Sequence, residues 1–155
     1  MWFMNKIANP FVRLILRSPL HGMLSASVLL ITYHGRKSGK EYTLPVQYVQ
    51  DENHIYILPG YAEKKTWWRN LKNGLDVQVT LKGQTLSGYG ILLKHEADAE
   101  EILKAFSLYL QRFPPSAKIH NVRIEANGRP NLEDIRTASA EIQMISVELE
   151  KGKKA

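Results

Sequence analysis

Between residues 27 and 93 the chain reads as five strand-like runs, joined mostly by turns too short to hold a crossover helix. The run 27–33 is β-branched and apolar. The run 41–50 alternates, with Tyr42, Leu44, Val46 and Tyr48 on one face, and 54–58, 76–81 and 85–93 follow. A strand that returns through a tight turn pairs antiparallel with the one before it. The turn chemistry agrees: Asp51-Glu52-Asn53, Pro59-Gly60 and Lys82-Gly83 separate the runs. A last alternating run, 141–149, makes about six strands in all. Helical periodicity appears at 97–113, where Ile102, Leu103, Phe106, Tyr109 and Leu110 recur at helical spacing before Pro114-Pro115 stops the pattern. Shorter helices are expected at 67–72, with Thr66 as N-cap, and at 132–139. So many strands with so few helices leave sheet edges uncovered unless the sheet rolls up. The expectation is an α+β chain, mainly β: a small antiparallel β-barrel with flanking helices.

Two features inside the runs call for special backbone. Pro45 donates no ladder hydrogen bond, so its strand is either an edge or locally broken. A broken strand would leave backbone groups of Thr43 and Val46 available to the edge of a heteroaromatic ring. Gly88 and Gly90 imply a bulge or a close approach by another group.

A chain of 155 residues without internal repeats reads as one domain, 25–150, preceded by a helical segment 1–24 and followed by a basic tail 151–155. The absence of cysteine excludes disulfides and thiolate metal sites, and the five histidines lack metal-ligand spacing. Residues 1–24 are too interrupted by Lys6, Arg13 and Arg17 for a signal peptide or a membrane span. A cytoplasmic protein is expected, in which the amphipathic face of that segment packs on its own domain or, as the alternative, makes peripheral contact with a membrane surface. The formal net charge of +6 suits an anionic partner. Nucleic acid is not expected, since the aromatic–basic interleaving of RNA-binding modules is missing.

The candidate chemistry centres on Gly35-Arg36-Lys37-Ser38-Gly39, which lies between the first two strands. A guanidinium, an ammonium and a hydroxyl leave one tight turn, flanked by glycines that add no bulk. Those are the donors an anion needs, although an ordinary hairpin turn has the same composition. A second basic stretch, Gly60-Tyr61-Ala62-Glu63-Lys64-Lys65, ends at the start of a short helix, and Lys65 is expected to approach the first turn. Trp67 and Trp68 point about 100° apart on a helix, so the rings meet different surroundings: both pack in the core, or one packs inward and the other covers a flat ligand or fills an interface. No nucleophile elbow or P-loop is present, which leaves anion-binding groups without an acid–base pair. That combination suits a cofactor that carries the reactive chemistry itself.

The succession of strand, Gly35-Arg36-Lys37-Ser38-Gly39, alternating strand with Pro45, Lys65-Thr66-Trp67-Trp68-Arg69-Asn70-Leu71 and valine-alternating strand resembles the deazaflavin-dependent nitroreductase family. The resemblance covers roughly residues 10–93 and implies a split β-barrel that binds reduced coenzyme F420. Carried over by position, Arg36, Lys37, Ser38 and Gly39 would hold the phosphate and acidic tail. Tyr42, Thr43, Leu44, Pro45 and Val46 would run beside the ring. Gly60, Tyr61, Lys64, Lys65, Trp67, Trp68 and Asn70 would complete the pocket. The reaction implied is hydride transfer to a small electron-poor acceptor such as a quinone, a nitro compound or an enone, by a homodimer. The alternative is an FMN-binding or non-catalytic ligand-binding barrel. The chain departs from the family in carrying Gly60-Tyr61 where many members carry a lysine, and in an insert at 120–138 after the long helix.

Overall fold

The computed structural model describes residues 27–60, 62 and 64–150. The segments 1–24 and 151–155, expected to be a helix and a basic tail, lie outside the described residues, as does Tyr61. Seven antiparallel strands form one curled sheet: β1 (Val28–His34), β2 (Glu41–Gln47), β3 (Val49–Asp51), β4 (His54–Ile57), β5 (Leu75–Leu81), β6 (Gln84–Leu92) and β7 (Ile145–Leu149). Their order is β2-β1-β5-β6-β7-β4-β3.

That order explains the closure. The two edge strands, β2 and β3, are consecutive in sequence and separated only by Tyr48. Gln47 and Val49 therefore lie within about 7–8 Å of each other, because a trans peptide spans about 3.8 Å between α-carbons. One continuous stretch serves both edges, and the sheet has to roll until they meet. The run 41–50, expected as one strand, is thus two. Its break falls at Tyr48, where the chain crosses the seam and the Tyr48 N–H bonds the Ser27 carbonyl at 3.3 Å. Pro45 lies opposite Leu30 on the edge strand β2, so of the two readings the edge strand holds.

Alternation sorts the side chains. Leu29, Ile31 and Tyr33 of β1 enter the barrel, where they meet Val77, Val79 and Leu81 of β5, Ile55 and Ile57 of β4, and Ile145, Val147 and Leu149 of β7. The outward residues of β3 and β4, Val49 and Tyr56, are buried as well, since α1 (Ala99–Arg112) and α3 (Leu132–Ser139) cover that face. On α1 the stripe Ile102, Ala105, Phe106, Tyr109 and Leu110 makes this contact. Each such large side chain contributes about 1.5–3 kcal/mol on burial.

Two local expectations change and a third is narrowed to one of its alternatives. Pro114-Pro115 ends α1 but also begins α2 (Pro115–Ile119), because proline's fixed φ fits the first helical position. Thr66 makes no side-chain cap; Trp67–Leu71 is a 3-10 turn whose Arg69 N–H bonds the Thr66 carbonyl at 3.0 Å. The β5–β6 register runs unbroken through Gly88 and Gly90, so neither marks a bulge between those strands. Both mark close approaches: a Cβ on Gly90 would stand 2.7 Å from Leu71 Cδ2, and one on Gly88 2.9 Å from the Glu148 carbonyl oxygen.

Candidate functional site

The β1–β2 hairpin and the 3-10 turn meet at one end of the barrel. The hairpin loop closes through Gly35 N–H to Lys40 O (2.7 Å) and Gly39 N–H to Gly35 O (2.9 Å), with Gly39 at φ +70°. Gly35 has no room for a side chain, since a Cβ would lie 2.8 Å from the Tyr42 ring and 2.9 Å from Ser38 Oγ. Ser38 Oγ in turn shares a hydrogen bond with the Tyr42 hydroxyl (3.2 Å) and accepts the Lys40 N–H (3.2 Å). The Ser38 hydroxyl therefore shapes the loop as well as facing the cleft.

Asn70 joins the two elements. Its Oδ1 accepts the Arg36 N–H at 2.9 Å, and its Nδ2 donates to the Trp67 carbonyl at 2.8 Å. Gly90 lets Leu71, which is fully buried, sink against the sheet, and this seats the 3-10 turn over β6. The two motifs read from the sequence thus meet through Asn70 and Trp67. Lys64 and Lys65 are not part of the lining.

Between these elements lies a cleft of about 910 Å³. Part of its lining is cationic and polar: Arg36, Lys37, Ser38, Thr66, Arg69 and Asn70. The rest is largely apolar and aromatic: Tyr33, Tyr42, Leu44 and Trp67. None of the described lining residues is acidic. Tyr33 lies 5.7 Å from Tyr42 with ring planes 25° apart, and 6.2 Å from Trp67 with planes 32° apart. Burial, with Tyr42 beside it, pushes the Tyr33 phenol up to about 12, so it is neutral and a hydrogen-bond donor at physiological pH. Arg69 stacks over the Trp68 ring at 5.3 Å, and Trp68 Nε1 donates to the Ala62 carbonyl at 3.0 Å. The two tryptophans do part: Trp67 faces the cleft while Trp68 anchors the preceding loop.

Of the residues singled out from sequence, Arg36, Lys37, Ser38, Tyr42, Leu44, Trp67 and Asn70 line the cleft. Gly39 sets the turn. Thr43 points to the opposite face of β2, where its hydroxyl bonds that of Thr32 at 2.8 Å, and Pro45 shares that face. Val46 packs against the barrel interior, and Gly60 is not in the lining. Tyr33, Thr66 and Arg69 lie outside the sequence-derived set. Tyr33 carried a signal in the alternation of β1, since it faces inward with Leu29 and Ile31 and stands opposite Tyr42.

The family model for F420H(2)-dependent quinone reductase matches residues 18–111, a span that contains the whole cleft. The chain belongs to that family. F420H(2)-dependent quinone reductases are oxidoreductases that use reduced F420 with a quinone acceptor. Rv3178 of Mycobacterium tuberculosis, provisionally named as one, is 34% identical over 56 residues, covering 34% of this chain and 47% of that protein. The chain thus matches about half the length of that relative. Among solved structures, the F420-H2-dependent reductase FDR-A superposes with a TM-score of 0.55 at 20% identity, covering 79% of this chain and 94% of that one. A second structure, described as a domain-swapped dimer, gives 0.57 at 18% identity, covering 93% and 98%. These superpositions support the split-barrel fold.

The residues present fit the family's cofactor. A phosphorylated ligand with a flat ring needs hydrogen-bond donors and an aromatic surface, and the lining of this cleft supplies both. Its size is within the roughly 300–1,000 Å³ usual for small-molecule sites.

Proposed function

We propose that this protein transfers a hydride from reduced F420 to a quinone. The observation that carries this reading is a single cleft joining Arg36, Lys37 and Ser38 to the aromatic wall of Tyr42 and Trp67, within the span that matches the family. Arg36 and Lys37 are the groups for the phosphate and acidic tail. The guanidinium gives paired donors, the ammonium a point charge, and neither forms an ion pair among the described residues that would compete. Tyr42, Leu44 and Trp67 form the surface for the ring and exclude water from it. When bound, the reduced deazaflavin supplies the hydride. A quinone accepts that hydride and one proton to become the hydroquinone.

FMN is the alternative cofactor, since it too is a phosphorylated tricycle. We assign a homodimer acting in the cytoplasm, a reading supported by the dimer described for one structural relative. Among the described residues no helix is long and apolar enough to cross a membrane. Contact with a lipid surface would fall to residues 1–24.

The test is a fluorescence titration of the purified protein with F420 and with FMN, at low and high salt, for the wild type and Lys37→Glu. F420 should bind tightly in a salt-sensitive way, and the substitution should weaken it at least tenfold by placing a negative charge beside the phosphate. Reduced F420 should then be oxidised by a quinone in the presence of the wild-type protein. Unchanged affinity in Lys37→Glu at low salt would remove the anion-binding assignment.

A further inference from the structure

Tyr33 combines two properties that rarely coexist. It is only 4% exposed, and its hydroxyl has no hydrogen-bond partner among the described residues, although the Tyr42 hydroxyl and the Asn70 amide of the same lining are bonded. The Tyr42 hydroxyl is tied to Ser38, and the Asn70 amide to Arg36 and Trp67. A buried hydroxyl left unpaired opposes folding, and native proteins keep few of them. Phenylalanine would fill the same space and stack the same way without that penalty. The unpaired group also lies in the cleft wall, between the two rings that form its flat surface.

We propose that the Tyr33 hydroxyl is a recognition group for the bound ring: it donates a hydrogen bond to a carbonyl or ring nitrogen on the edge of a planar heteroaromatic ligand held against Tyr42 and Trp67. This rests on the reading of the cleft as a cofactor site and adds the residue that senses the ring rather than the phosphate. The direction of the bond follows from the phenol's state. Burial keeps the proton on the oxygen well above neutral pH, so Tyr33 donates and an acceptor-bearing edge is favoured. A ring edge without an acceptor leaves the hydroxyl unpaired and gains nothing. The site therefore discriminates by ring edge independently of charge, which the loop of Arg36 and Lys37 reads.

The experiment compares Tyr33→Phe with the wild type in two measurements. Fluorescence titration uses F420 and riboflavin, a tricycle with carbonyl edges and no phosphate. Urea denaturation of the ligand-free protein is the second readout. Tyr33→Phe should weaken both ligands by a similar factor, about threefold to tenfold, as a net hydrogen bond does. Its denaturation midpoint should stay level or rise, because no bond among the described residues is lost. Lys37→Glu should weaken F420 while leaving riboflavin within about twofold. Equal affinity of Tyr33→Phe and wild type for both tricycles would overturn the proposal, as would a loss confined to F420. A fall in the ligand-free midpoint would also overturn it, since the hydroxyl would then have a partner within the fold. If neither tricycle binds the wild type, both this assignment and the cofactor reading fail. If both bind and Tyr33→Phe behaves as expected, but no hydride reaches a quinone, only the reaction fails.

Discussion

Asn70→Ala tests whether the two motifs act as one site. The asparagine makes two hydrogen bonds, at 2.9 Å from the Arg36 N–H and 2.8 Å to the Trp67 carbonyl. A net hydrogen bond contributes about 0.5–1.5 kcal/mol. The bond to Arg36 is exposed, so water replaces part of it, while the one to Trp67 is partly buried. The loss in folding stability should therefore be about 1–2 kcal/mol, read from urea unfolding. The larger consequence is local. Without the tether, the Arg36 amide exchanges faster and the hairpin loop must be ordered at the moment of binding, which should weaken F420 by about tenfold, or 1.4 kcal/mol. Asn70→Asp separates the two bonds. It keeps an acceptor for the Arg36 N–H, loses the donor to Trp67, and puts a negative charge in the cationic lining, so it should bind F420 less well than Asn70→Ala at low salt and better than it at high salt, where the repulsion is screened and the tether remains. Hydrogen exchange at Arg36 that is the same in Asn70→Ala and wild type, together with undiminished F420 affinity, would show that the loop is ordered by other means.

Gly90→Ala should destabilise the fold by about 1–3 kcal/mol, because the new Cβ would press on Leu71 Cδ2 at 2.7 Å and Val77 Cγ1 at 3.3 Å and lift the 3-10 turn from β6. Thermal unfolding reads this, and a Tm equal to that of the wild type would contradict the packing. The pH dependence should also carry a mark of Tyr33. Its phenol ionises at 10.0 in an unfolded chain and at about 12 in the fold, so the native state holds a proton that the unfolded state has lost between those values. This group therefore leaves stability independent of pH below 10, and stability declines as pH rises from there towards 12. Urea midpoints measured across that range should fall more steeply for the wild type than for Tyr33→Phe, and parallel slopes would refute the assignment.

Much of this architecture was legible in the chain. Alternation in 27–33, 76–81 and 85–93 and the turn residues between them act over a few positions, and the strands formed close to where those signals lie. The cationic part of the cleft lining was legible for the same reason: Arg36, Lys37 and Ser38 are contiguous, and Gly35 and Gly39 declare the turn that presents them. Pro45 marked an edge strand or a broken one, and the edge holds; it does not line the cleft. In a strand, side chains alternate in direction, so Thr43 and Pro45 turn away from the face that Tyr42 and Leu44 present. Lys64 and Lys65 were drawn towards the site by their charge, and it is Thr66, Trp67 and Arg69 that reach the cleft.

Local signals thus account for most strand positions, the antiparallel pairing across the short turns and the cationic hairpin, since each depends on residues only a few positions apart. Packing of the whole sheet set what remained. The crossing at Tyr48 makes one stretch of chain serve both sheet edges and so sets the curl. That curl brings Asn70 to the Arg36 amide across 34 positions and places Tyr33 between Tyr42 and Trp67. No local propensity encodes such meetings, because they depend on how far the whole sheet must roll before its apolar face is out of water.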